Sequence, residues 1–144
     1  MTTKSRLESR VIPIDIDITW AATTPSFTFI GPGNVVSTSG EISLIGHAKH
    51  VVLLFNLVSK GGEHFDEEHP MAVEEITSGG PIPCPIQAAG LTGPFSDATT
   101  DASHRLLVVS DDNHATTKKK YQYALFFRDS INNIFPCDPR IINN

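Results

Sequence analysis

The densest run of chemistry-bearing residues is Gly61-Gly62-Glu63-His64-Phe65-Asp66-Glu67-Glu68-His69-Pro70. Imidazole nitrogens and carboxylate oxygens are common donors to divalent ions. His64 and His69 with Glu63 and Glu67 therefore form a candidate metal loop, with Asp66 and Glu68 beside them. The spacing is neither HExxH on a helix nor a zinc-finger pattern. The competing expectation is an acidic, solvated turn.

The other chemistry is sparser. His47, His50, His104 and His114 are scattered. A blue-copper site needs two His and a Cys, usually with a weak Met ligand. No His or Met follows Cys137, and Cys84 has no His after it until His104. There is no GxSxG elbow, and neither cysteine lies in a nucleophile signature. A hydrolase with its site in the 60–104 region is the remaining catalytic alternative. Gly31-Pro32-Gly33-Asn34 lacks the Lys-Ser/Thr ending of a phosphate loop. Asp15 and Asp17 share one face of a strand, where they either pair as carboxylates or keep that face wet. No cofactor is expected.

Short strands must position these groups. Ile12, Ile14, Ile16, Ile18 and Trp20 alternate with Pro13, Asp15, Asp17 and Thr19. This is the period of a half-buried strand, and Pro13 points to an edge strand or to the start of one. Phe27–Ile30 is a second strand, and segments 35–37 and 41–45 are shorter candidates. Val51–Val58 is nearly all apolar, as in a central strand covered on both faces. Met71–Thr77 and Arg105–Ser110 follow, and Pro81–Pro85 is extended. Gln87–Ala102 has no clear period, and Asp111–Thr117 is a polar turn. Tyr121, Tyr123, Leu125 and Phe127 alternate before a turn at Asp129–Asn133. Ile134-Phe135 then starts a return strand that Pro136 and Pro139 hold to an edge.

The sequence thus predicts an all-β fold: a single Greek-key β-sandwich of about 7–9 strands over residues 11–144, preceded by a flexible arm over 1–10. Its expected core is Ile14, Ile16, Ile18, Trp20, Phe27, Phe29, Leu53, Phe55, Leu107, Val109, Tyr123, Leu125 and Phe127. At 144 residues the chain has the size of one domain. A net charge of −5 disfavours nucleic acid. Lys118-Lys119-Lys120, the one basic run, reads as a solvated strand entry that blunts an edge. No stretch approaches a membrane span, and no secretory signal is evident. The expectation is a cytoplasmic protein with Cys84 and Cys137 reduced.

Tyr121-x-Tyr123-x-Leu125 before a turn, the ending Asp138-Pro139-Arg140-Ile141-Ile142-Asn143, and an early strand closing on Trp20 resemble small bacterial β-sandwich proteins of cupredoxin-like or immunoglobulin-like type. The resemblance covers the first strand and the last 25 or so residues. It implies a fold and brings no ligand set. The functional expectation is a non-catalytic binding or assembly module. Its partner is a protein or small molecule, and an edge strand is open to a second copy. The alternative is a small metal-binding protein using the His64/His69 loop.

Overall fold

The computed structural model describes residues 9–46, 48–76, 91, 93–113, 118–129, 134–135 and 139–143. Among them every regular element is a strand: β1 (Ser9–Ala21), β2 (Thr24–Ile30), β3 (Ile42–Ser43), β4 (His50–Leu57), β5 (His64–Phe65), β6 (Met71–Glu75), β7 (Phe95–Thr100), β8 (Leu106–Asp112), β9 (Lys119–Leu125), β10 (Phe127–Arg128), β11 (Ile134–Phe135) and β12 (Arg140–Asn143). The protein is all-β. Three sheets form, ordered β2-β1-β4-β8-β7, β3-β12-β9-β6 and β11-β10-β5. Most pairs are antiparallel, but β1 runs parallel to β4 and β3 runs parallel to β12.

One contiguous apolar core joins the sheets. Ile12, Ile14, Ile16 and Ile18 are buried along a single face of β1, as the alternation dictates. Phe55 of β4 meets Tyr123 of β9 at 5.8 Å between ring centroids. Phe127 packs on Phe65 at 4.9 Å and stacks on Phe27 at 5.6 Å. Tyr123 is fully buried, and its hydroxyl donates to the Gly40 carbonyl at 2.6 Å. Gly40 has φ of +93°, and a Cβ there would lie 2.8 Å from the Phe29 ring. Only glycine combines that backbone with that closeness.

Several expectations change. β1 is an interior strand, flanked by β2 and β4. Pro13 survives there because β2 ends at Ile30, opposite Asp15. The Ile16 carbonyl accepts from the Val58 N–H, so even-numbered residues of β1 face β4 and Pro13 faces the uncovered side. Its missing N–H interrupts no ladder. β4 is buried on one face, not two. Val51, Leu53, Phe55 and Leu57 are inside, Val52 and Leu54 are half-buried, and Asn56 is exposed. Lys119 and Lys120 guard no edge, since β9 lies between β12 and β6. Lys119 instead pairs with Glu75 at 3.7 Å across β6. Phe27 is only partly buried. The arm expected over 1–10 is strand from Ser9, which pairs with His50.

Trp20 is the clearest correction. It is 40% exposed and outside the core. The alternation continues from Ile18, but β4 stops covering β1 at Ile16. The strand outruns its neighbour, and the ring emerges beyond the end of the core.

The expected polar turn at 111–117 begins with two residues of β8, and Asp111 is buried. Asn143 of β12 donates to its Oδ1 at 2.7 Å, which ties the five-stranded sheet to the four-stranded one. Asp111 Oδ2 and Asn143 Oδ1 have no hydrogen-bond partner among the described residues. Burial pushes the Asp111 carboxyl up to about 7, against the lowering effect of Asn143 and with a smaller push from Asp112. Cys84, Cys137 and the 81–85 segment lie outside the described residues.

Candidate functional site

The acidic run divides into an inward half and an outward half. Glu63 points inward and is only 3% exposed. Its Oε1 accepts the Trp20 indole N–H at 2.8 Å, and its buried Oε2 has no hydrogen-bond partner among the described residues. Among the described residues no cation lies within ion-pair distance of this carboxylate.

Two devices hold Glu63 there. Arg105, at the start of β8, donates to the carbonyls of Leu57, Gly61 and Glu63 at 3.0–3.2 Å, and also to that of Ser59. One guanidinium, with its five fixed N–H donors, thus clamps the whole 57–63 segment. Gly61 is the second device. A Cβ on it would lie 2.1 Å from Glu63 Oε2, so a side chain there and the carboxylate cannot share the space. Gly61→Ala should therefore expel the Glu63 carboxylate and free the Trp20 indole. The expected result is a red shift of Trp20 emission with little loss of secondary structure. An unchanged emission maximum would show that the seat does not depend on Gly61.

Trp20, Glu63, Asp17, Val58, Lys60 and Gly61 line an open cleft of about 470 Å³. An exposed indole fixed by a buried carboxylate, with Asp17 and Lys60 as the other charged lining residues, can stack a flat or cationic group and orient its polar atoms. Nothing in it pairs a nucleophile with a base.

The outward half belongs to a second cleft, of about 340 Å³, lined by His64, Asp66, Glu67, Glu68 and Arg128. Asp66 Oδ1 accepts the N–H groups of Glu68 and His69 at 2.9 Å each, and Oδ2 accepts Arg128 Nε at 2.8 Å. Burial raises its pKa, but these bonds outweigh that and hold the carboxyl below its usual 3.8. His64 lies beside His104, with ring centroids 6.5 Å apart, and His104 Nε2 is 3.4 Å from Glu67. His69 enters the Asp66 turn through its backbone. Of the four candidate ligands, His64 and Glu67 thus lie near His104, while Glu63 serves the Trp20 cleft. Among the described residues no three His, Cys, Asp or Glu side chains are placed to hold a metal ion. Asp15 receives the Asn56 amide at 3.3 Å on the neighbouring strand.

Sequence reasoning missed Arg105 and the inward turn of Glu63. Both roles depend on partners more than 40 positions away.

No protein-family model matches the chain, and no curated protein matches it in sequence. Among solved structures, the crystal structure of the inclusion body protein PixA from Burkholderia cenocepacia is similar over 99% of this chain and 97% of its own. The identity is 12% and the TM-score 0.33. No helix among the described residues is long and apolar enough to cross a membrane.

Proposed function

We propose that this protein is a non-catalytic binding module built on a single sandwich of Greek-key type, and that the Trp20–Glu63 cleft is its ligand site. The shared core between the five- and four-stranded sheets supports the sandwich. The observation that carries the function is the state of Trp20. A large aromatic ring is left 40% exposed at a cleft wall while its N–H is anchored on a buried carboxylate. Isolated surface aromatics have no such anchor, and a fixed ring loses little entropy on contact with a ligand.

Trp20 is the only tryptophan, so emission reports the site directly. A panel of small sugars, amines and organic acids should contain a compound that shifts this emission and raises the melting temperature. Stabilisation of about 2.7 kcal/mol follows when a ligand is at a hundredfold excess over its Kd. The thermal shift should vanish in Trp20→Ala. A panel without effect on emission, or a thermal shift that persists in the variant, would remove the proposal. A metal-binding role for His64 and Glu67 lacks a third converging ligand among the described residues. Chelator is expected to leave the melting temperature unchanged.

A further inference from the structure

We propose that the Trp20–Glu63 cleft takes a small organic cation of the quaternary ammonium kind. This inference rests on the binding-module proposal above and adds the ligand's chemistry.

Three features of the cleft favour a positive charge. The first is the Glu63 carboxylate. It is buried, has the neutral Trp20 N–H as its hydrogen-bond donor, and has no ion-pair partner among the described residues. Arg105, the nearby cation, binds the main-chain carbonyls of Leu57, Gly61 and Glu63. A carboxylate in a low-dielectric wall projects its field into the adjoining cleft with little screening. Asp17 also lines the cleft.

The second feature is the indole itself. A cation over a tryptophan face is attracted by the ring quadrupole. Donating the N–H to a carboxylate pushes electron density back into the ring, so the Glu63 bond strengthens the face that a cation would meet.

The third feature selects the kind of cation. Glu63 Oε2 is pressed against Gly61 and is covered. A ligand N–H cannot reach it without moving the loop, so the carboxylate acts by charge across a short distance. A quaternary ammonium carries charge and no N–H that would be left unsatisfied. Its methyl groups suit a wall that also includes exposed Val58.

Lys60 makes the proposal sharp, because it lines the same cleft and carries a positive charge. For a cationic ligand Lys60 is a competitor, and removing its charge tightens binding. For an anion or a sugar Lys60 is an asset, and removing it weakens binding.

The test uses choline and its neutral isostere 3,3-dimethylbutan-1-ol, titrated into the full chain by Trp20 emission and by calorimetry. Choline should bind at least tenfold more tightly than the isostere. Lys60→Met should tighten choline several-fold, and Glu63→Gln should weaken it at least tenfold. Glu63→Gln keeps the acceptor for the indole, and its melting temperature checks that the fold survives. Equal binding of the two probes, weaker choline binding in Lys60→Met, or unchanged binding in Glu63→Gln would each overturn the proposal. If a neutral or anionic compound perturbs Trp20 and choline does not, the cation falls while the binding site stands. If nothing perturbs Trp20, both fall.

Discussion

Phe127→Ala should lower the unfolding free energy by about 3–5 kcal/mol, the usual cost of emptying a buried phenylalanine site. Phe127 is fully buried and touches two other rings, Phe65 and Phe27, which belong to β5 and β2. The cavity would open where three strands from two sheets meet, so collapse from one side cannot fill it. Its neighbour Phe126 supplies the control. Phe126 is half-buried and packs against the small Ala72–Ala124 pair, apart from the main core. Phe126→Ala should cost about 1 kcal/mol, since only part of the ring's area is removed from water. Urea denaturation of the two variants measures the difference. Equal losses would mean that the interruption of the strand at Phe126, between β9 and β10, does not separate a core position from a peripheral one.

Asp111→Asn should stabilise the protein at alkaline pH and flatten its pH dependence. The folded carboxyl titrates near 7, against an ordinary 3.8. Between those values the folded state keeps a proton that the unfolded state has released. Stability therefore falls as pH rises from about 4 to 7 and levels off above. A rise from 3.8 to about 7 corresponds to about 4 kcal/mol at most. Asparagine carries no charge to desolvate, and it offers both a donor and an acceptor to Asn143 across the two sheets. Denaturation at pH 5 and pH 8 should show the variant gaining more on the wild type at pH 8 than at pH 5, by about 2–3 kcal/mol. Taking the difference between the two proteins cancels other titrating groups, such as Asp66, whose lowered pKa acts in the opposite direction. A gain that is the same at both pH values would mean that Asp111 is ionised in the fold throughout.

The strands that form the core were legible because one face alternates without interruption. Ile12 to Ile18 and Tyr121 to Phe127 announced their inward faces in sequence, and the structure buries them. The Asp111 position was legible too, had the alternation of Leu107 and Val109 been carried one step further. β7 was not legible. Its register shifts between Ser96 and Thr99, and Asp97 has φ of 60°. A bulge erases the period on which strand recognition depends. Trp20 shows the opposite failure. Its alternation was real, but a pattern along one strand cannot report where the neighbouring strand ends. The cleft was least legible of all, because Glu63 reads as a solvated loop residue until Trp20, Gly61 and Arg105 are placed around it.

The placement of β12 between β3 and β9 bears on how the molecule is made. β12 is near the end of the chain, yet it is an inner strand that pairs Ile141 with Ile42 and Tyr121. During synthesis β3 therefore emerges long before the strand that joins it to β9. Until then β9 offers an open edge of unpaired backbone groups, the kind of surface on which nascent chains associate wrongly. Contacts this distant along the chain slow folding, since the entropy of closing the loop is lost before the pairing forms. Assembly of the four-stranded sheet thus waits for β12, and removing Arg140–Asn143 would leave β3 and β9 without the strand that joins them.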